Sequence, residues 1–335
     1  MASALTRPWP LRVRHRLEWL LLQTLLPWLQ SGDLAQASRR AQRLARLLRW
    51  LLASEWRWAQ NNLYLVYGDH LTPAERLRLA AMAMENMVLT HLDGLRQDPF
   101  SILNHDSEAR TILQECLAQG RGAIICGVHL GSWEIGLKWF ASLGFPIHVV
   151  YRHSNNPLSE QLFMAARAHY GVQWIRRDEP LKLLRALQKR HILVLMTDIN
   201  QRRDGIPVPF LGTTALSPAG PARLAKRWQV PLLPLVCVRE QTGQFRILNG
   251  PLLTANADED EVALTARIYA CCQPWIHHYA EQYNWLHARW RSRPDGSLWQ
   301  RTISAEALAA ARLTPPALPA ERVHHLLNSR PDKPR

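Results

Sequence analysis

Two side chains able to exchange a proton stand close together in the segment GVHLGSWEIG (127–136), namely His129 and Glu134. A neutral imidazole has a basicity suited to taking a proton from a hydroxyl as that hydroxyl attacks a carbonyl carbon. A carboxylate on the other ring nitrogen would fix the tautomer and stabilise the imidazolium that forms. An H-x4-E string alone fits a structural histidine equally well, so its surroundings decide its weight. The apolar run AIICGV (123–128) precedes His129 and reads as a buried strand. In open α/β sheets functional groups collect at the carboxyl ends of strands. Gly131 permits a tight turn, Ser132 can cap the next helix, and Glu134 falls in that helix's first turn, from which its carboxylate can fold back to the imidazole. Ser132 could itself be a nucleophile, but it lacks the flanking glycines of a nucleophile elbow.

The elements that must carry these residues are legible as a pattern. Residues 1–100 read as helices, with apolar positions recurring every three or four residues through LAQASRRAQRLARLLRWLLASEW. The stretch TPAERLRLAAMAMENMVLTHLDGL opens with Thr72 as N-cap, Pro73 at the first helical position and Glu75 completing a capping box. From Gly120 onward, short apolar runs at 123–128, 146–151, 172–175, 192–197 and 231–238 read as buried strands separated by helical stretches, and 245–250 adds an antiparallel strand. The fold class that follows is α/β, a mixed and largely parallel sheet flanked by helices behind an N-terminal helical region. The expected division is a membrane-associating helical region over 1–100, a catalytic α/β domain over 101–300, and a partly disordered tail over 301–335.

Composition narrows the partners. With 41 Lys and Arg against 27 Asp and Glu, the formal charge of +14 points to anionic lipid, nucleic acid or an acidic carrier. Five cysteines without a CxxC pair indicate neither a zinc site nor a disulfide framework, which suits a reducing cytoplasmic setting. No run of 18 apolar residues is present; the nearest, LEWLLLQTLLPWL (17–29), is interrupted by Glu18, Gln23 and Pro27. It follows Arg7, Arg12, Arg14 and Arg16, and precedes Arg39, Arg40, Arg43, Arg46, Arg49, Trp50, Trp56 and Trp58. Arginines mixed with leucines and tryptophans suit a helix lying in the headgroup layer; a helical hairpin packed on the core is the alternative.

Four ordered stretches carry a resemblance to the bacterial lipid A acyltransferases. HLGSWE looks like that family's H-x4-D/E motif, and VYRHSNNPL (150–158) is similar to its VYR…NP segment, whose following helix places Arg167 on the family's functional arginine. LMTDINQRRDGIPVPFLG (195–212) resembles the aspartate loop and V-P-F-x-G element, and EQYNWLHARWRSRPDG (281–296) the closing Q-Y-x-W-x-H-x-R segment. The resemblance, over roughly residues 10 to 300, implies a glycerolipid acyltransferase-like fold. It also implies transfer of a fatty acyl group from acyl carrier protein, or in relatives acyl-CoA, to a hydroxyl of a lipid A precursor or related glycolipid at the cytoplasmic face of the inner membrane, with no metal or organic cofactor. His129 is then the base, Glu134 its orienting partner, and Arg167 and Asp198 complete the constellation. Arg167 would bind phosphate or developing negative charge, or else form an Arg–Asp ion pair bracing two loops.

The sequence departs from the family where the aspartate loop commonly continues D-x-D-x-G: here Arg202 and Arg203 follow Asp198 closely, which bears on the acceptor headgroup. Arg152 and Asn156 flank a turn and are expected either at the cleft or as ordinary turn chemistry. His287 and Arg289, within a basic aromatic cluster, suit a phosphorylated glycolipid and equally single-stranded nucleic acid; Phe210 and Gly212 shape a loop. Two competing readings remain, an acyltransferase acting on a lysophospholipid or another glycolipid, and a non-enzymatic basic module. The second has no recognised nucleic-acid-binding motif, so no nucleic-acid partner is expected.

Overall fold

A computed structural model of the chain describes residues 9–329, so Arg7 and the last residues of the expected tail lie outside it. Four helices come first: α1 (Trp9–Gln30), α2 (Leu34–Leu51), α3 (Ala53–Tyr67) and α4 (Pro73–Leu95). The start of α4 follows the local code, with Thr72 and Glu75 forming a reciprocal capping box ahead of Pro73. Ala37, Ala41 and Ala45 recur at four-residue spacing on the buried face of α2, where small side chains let it lie close against α4. The apolar 17–29 stretch is part of α1, which continues through Pro27. Among the described residues no helix is long and apolar enough to cross a membrane.

The remainder alternates strands and helices. In chain order these are β1 (Ser101–Ile102), α5 (Glu108–Ala118), β2 (Ala123–Gly127), α6 (Trp133–Ser142), β3 (Ile147–Tyr151), α7 (Pro157–Arg167), β4 (Gln173–Arg176), α8 (Pro180–Gln188) and β5 (Ile192–Met196). Then follow β6 (Gly205–Phe210), β7 (Thr213–Pro218), α9 (Gly220–Trp228), β8 (Leu232–Gln241), β9 (Gln244–Asn249) and α10 (Glu261–His278). Helices α11 (Ala305–Ala310) and α12 (Glu321–Ser329) lie in the stretch expected as a tail.

The main sheet has the order β1-β9-β8-β2-β5-β3-β4, and only the β8–β9 pair is antiparallel. The fold is therefore α/β with a largely parallel sheet, as the strand pattern predicts. Alternation along β2 feeds two cores: Ile124 and Cys126 pack with Leu63, Leu79 and Ile268, whereas Ile125 packs on the other face with Ile135, Phe140 and Phe245. The N-terminal helices thus share one core with the sheet.

Chain direction splits at the centre. After β2 the chain runs through α6 to β3, beyond β5, whereas after β5 it crosses back to β8 on the far side of β2. The crevice beyond the carboxyl ends of β2 and β5 is a topological switch point, the place where open α/β sheets bind ligands.

The PVPFLG stretch, expected as a loop, is a hairpin. Residues of β6 pair antiparallel with β7 from Gly205–Pro218 to Phe210–Thr213. Pro207 and Pro209 occupy exposed positions, while Val208 and Phe210 are buried, so the prolines alternate out of the core. Leu211 and Gly212 both have positive φ, as a two-residue type I′ turn requires.

Candidate active site

Strand register determines what faces His129. Gly127 of β2 pairs with Met196 of β5, and two residues further along these parallel strands His129 and Asp198 meet. Asp198 Oδ2 accepts from the His129 backbone N–H at 2.9 Å, and Oδ1 lies 2.7 Å from His129 Nδ1. Asp198 is only 2% exposed, whereas a quarter of the His129 side chain remains accessible. Burial by itself would raise the Asp198 pKa, but the charge of His129, its hydrogen bonds and nearby Arg289 bring it down to about 2. Burial acts to lower the His129 pKa, and the charge and hydrogen bond of Asp198 outweigh it, leaving the pKa raised. An ionised carboxylate can only accept, so Nδ1 carries the proton and Nε2 holds the free lone pair.

The turn after His129 is held from three sides. Gly131 has φ of +70°, and a Cβ there would lie 2.1 Å from the Cys237 carbonyl oxygen. The Gly131 carbonyl accepts from Thr90 Oγ1 at 2.8 Å and Asn86 Nδ2 at 3.3 Å, both on α4. The Ser132 N–H donates to the Cys237 carbonyl of β8 at 2.6 Å, and the Asn284 N–H to the His129 carbonyl at 2.9 Å. Ser132 is fully buried and its hydroxyl donates to Asp93 Oδ2 at 2.7 Å, a carboxylate also held by Arg239. This hydroxyl is committed to the fold, which removes it as a nucleophile.

The carboxylate on His129 Nδ1 is Asp198, where the sequence pattern pointed to Glu134. Because α6 begins at Trp133, its first turn carries Glu134 away beneath α4, where Gly94 leaves room for it; a Cβ at Gly94 would come within 3.0 Å of Glu134 Cδ. There Glu134, 2% exposed, accepts from Arg167, whose guanidinium lies 4.7 Å from the Trp174 ring centroid. Burial would lower the Arg167 pKa, but the Glu134 charge and hydrogen bond hold it above the ordinary value. Arg167 and Asp198 therefore serve two separate pairs.

Other expected contact residues have framework employment. Asn156 is buried, caps α7 through the Leu158 N–H at 3.1 Å, and donates to the His15 carbonyl at 2.9 Å, tying α7 to α1. His287 Nε2 accepts from the Asn200 N–H at 2.9 Å. Burial, with His129 and Arg289 nearby, lowers its pKa to about 4, so it is neutral. Arg289 is 1% exposed and donates to the carbonyls of Ile199 and Leu216, to Ser217 Oγ and to Tyr269 Oη. It braces the loop after Asp198 against the hairpin and has no free face for a substrate. Arg152 is exposed just beyond β3.

Three neighbours escaped the sequence reading. Trp133 stands T-shaped to the His129 ring at 5.2 Å, and Asn284 lies across the backbone from His129. Both sit inside the quoted motifs, and that position was the available signal. Asp93, on α4, had none. Among the described residues no group of three His, Cys, Asp or Glu is arranged to hold a metal ion. The arrangement offers a base at Nε2, backed by a buried carboxylate, beyond the carboxyl ends of β2 and β5 on a side chain that is a quarter accessible.

The sequence profile described as bacterial lipid A biosynthesis acyltransferase matches residues 10–292. The lipid A biosynthesis palmitoleoyltransferase of Escherichia coli K12 is 26% identical over 296 residues, 85% of this chain and 94% of that protein. The lauroyltransferase of the same organism is 27% identical over 187 residues, 55% of this chain and 61% of its own length. A phosphatidylinositol mannoside acyltransferase of Mycobacterium tuberculosis is 26% identical over 155 residues, 42% of this chain and 49% of that protein.

The close approach at Gly131 is directly testable. Gly131→Ala meets both the left-handed φ, at roughly 1–2 kcal/mol, and the Cys237 carbonyl. Gly144→Ala, at φ of +83° with nothing within 4 Å, meets only the first. Urea unfolding is expected to show the Gly131 variant as the less stable of the two by at least about 1 kcal/mol.

Proposed function

The chain belongs to the bacterial lipid A biosynthesis acyltransferase family and is an acyltransferase; from that premise we propose that it transfers a fatty acyl group from acyl carrier protein or acyl-CoA to a hydroxyl of a lipid A precursor or related glycolipid, with His129 as general base and Asp198 as its orienting partner. The observation that carries this is the 2.7 Å contact between His129 Nδ1 and Asp198 Oδ1, which leaves Nε2 unprotonated on a side chain that is a quarter accessible.

The chemistry follows from that tautomer. As the acceptor oxygen bonds to the thioester carbonyl carbon, Nε2 takes the hydroxyl proton, and the buried Asp198 carboxylate stabilises the resulting imidazolium. Collapse of the tetrahedral adduct breaks the C–S bond, and the departing sulfur receives the proton from Nε2. The products are an ester and a free thiol, with His129 neutral again. Glu134 contributes by pairing with Arg167: it fixes α7 against α6, and removing either partner would leave the other's charge buried alone.

The relatives are named for acylation of lipid A and of phosphatidylinositol mannoside, which supports a glycolipid acceptor. Arg202 and Arg203 are exposed on the loop after Asp198. Arg202 lies four residues on, so extended chain limits their Cα separation to about 14 Å. That reach suits the choice of a phosphorylated headgroup. A net charge of +14 favours both an acidic carrier and an anionic membrane.

Helices α1 and α2 supply the membrane face of this reading. On α1, Trp9, Val13, Leu17, Leu20, Leu21 and Trp28 are exposed, and on α2 Leu47, Trp50 and Leu51. Exposed Arg12, Arg16, Arg39, Arg43, Arg46 and Arg49 accompany them. Apolar side chains among cations fit peripheral docking at the cytoplasmic face of the inner membrane.

His129→Ala, with an unchanged unfolding midpoint, is expected to lose roughly 10²–10⁴-fold in acyl transfer, read by mass spectrometry of the acceptor lipid. An unchanged rate would refute the base assignment. Because the base must be neutral and its pKa is raised, the acid limb of the wild-type pH–rate profile should lie above the ordinary histidine value of about 6.5. Replacing Leu17, Leu20 and Leu21 together by Glu should weaken sedimentation with vesicles of phosphatidylethanolamine and phosphatidylglycerol at least tenfold; undiminished binding would place the membrane face elsewhere.

A further inference from the structure

We propose that the groove between α1, α4 and α7 takes the tail of the donor's acyl chain, and that Leu162, Ala165 and Ala166 set the chain length accepted there. The inference rests on the acyltransferase reading above and assigns a specificity element within it.

Helix periodicity builds the groove. Gln23, Leu26, Pro27 and Gln30 recur at three and four residues along one face of α1, and Leu162, Ala165 and Ala166 do so along one face of α7. These faces and Leu95, the last residue of α4, line an open groove of about 340 Å³, within the size range of small-ligand sites. Its walls are tied at both ends. Asn156, the N-cap of α7, donates to the His15 carbonyl of α1 at 2.9 Å. At the other end Gln30 Nε2 donates to the Leu95 carbonyl at 2.8 Å, and the Arg96 guanidinium donates to the carbonyls of Gln30 and Gly32. Between those ties Ala165 and Ala166 offer only methyl groups where longer side chains would fill the space. The gap is therefore a product of the fixed helix positions and the side chains chosen, in a protein whose interior is otherwise closely packed.

The groove leads back to the base. The Trp133 ring stands 5.2 Å from the His129 ring and 6.2 Å from that of His91 on α4. His91 and Leu95 are four residues apart on one face of α4, about 6 Å along its axis. Trp133, His91 and Leu95 are all accessible, whereas Leu92, Asp93 and Gly94 beside them are buried. They mark a surface line from the imidazole to the groove. A thioester carbonyl held at His129 Nε2 would lay its chain along this line, with its tail between α1 and α7.

The donor's chain suits the groove better than the acceptor. Among the described residues no charged side chain lines it, so a phosphorylated headgroup finds no partner there. A glycolipid's own chains stay in the bilayer, whereas the donor arrives through water with a chain that needs apolar cover. The outer surface of α1 carries Leu20, Leu21 and Trp28, assigned above to the membrane, so the groove adjoins that face. The two Escherichia coli relatives are named for different chains, lauroyl and palmitoleoyl, a difference that a groove wall can decide.

The test uses the full chain, underacylated lipid A in detergent micelles as acceptor, and acyl carrier protein charged with decanoyl, lauroyl, myristoyl or palmitoyl chains. Ala165→Leu and Ala166→Leu retain good helix formers on α7 and fill the groove. Each is expected to lower kcat/KM for the longest chain the wild type accepts by about tenfold or more relative to decanoyl, with the acceptor KM within twofold and the acid limb of the pH profile in place. Leu162→Ala, which deepens the groove, should move the preference toward longer chains. Ala168→Leu, exposed just beyond α7 and outside the groove, should leave the chain-length profile unchanged. In the wild type, a donor carrying a diazirine at its chain terminus should label α1 or α7. An unchanged profile in all three groove variants, a change in acceptor KM in place of the profile, or labelling confined to other elements would overturn the assignment while the acyltransferase reading stands. Absence of transfer from every donor by the wild-type chain would instead sink that reading, and this groove with it.

Discussion

The alignment of β2 with β5 is the constraint on which the site depends. Its register sets Gly127 beside Met196 and thereby His129 beside Asp198. The same register is enforced by burial. Ile124 and Cys126 must enter one core and Ile125 the other, so a one-residue slip of β2 would invert every side chain along it. The hydrophobic alternation that stabilises the sheet therefore also selects which carboxylate orients the base. No separate device is needed to bring them together.

Around that pairing the protein places its polar groups with economy. Asp198 is buried with a charge, which persists because His129 and Arg289 lie near it. Arg289 in turn joins the loop after Asp198 to the β6–β7 hairpin. On the other side, α4 supplies Thr90 and Asn86 to the Gly131 carbonyl and Asp93 to Ser132. The same helix packs against α2, part of the surface assigned above to the membrane. Site and docking face are thus linked through one helix, a short path from a lipid surface to the base.

The sheet was legible because its central strands are short, apolar runs between turn residues, and the antiparallel strand expected over 245–250 forms as β9, Gln244–Asn249. The hairpin was not, since Pro207 and Pro209 argue against strand until their exposed, alternating placement is known. His129 was recognisable from its place after a buried strand. Asp198 was named with it through the resemblance, but not as its partner, because it lies 69 residues away and only the topology makes the two adjacent, whereas Glu134 is nearby in sequence and turned away by the start of α6. Asn156, His287 and Arg289 show a related limit. Polar residues in a recognisable motif invite a reading as substrate contacts, yet burial obliges them to satisfy one another, and here they brace loops.

The central claim is that Asp198, and not Glu134, holds the proton-bearing nitrogen of His129. Nitrogen-15 NMR of histidine-labelled protein measures this directly, with wild type compared against Asp198→Asn and Glu134→Gln. The account predicts that wild-type His129 is protonated at Nδ1 when neutral, with a pKa above the ordinary value. It further predicts that Asp198→Asn lowers that pKa and mixes the tautomers, while Glu134→Gln leaves the tautomer in place. A His129 protonated at Nε2, or one whose tautomer and pKa respond to Glu134→Gln and not to Asp198→Asn, would contradict it.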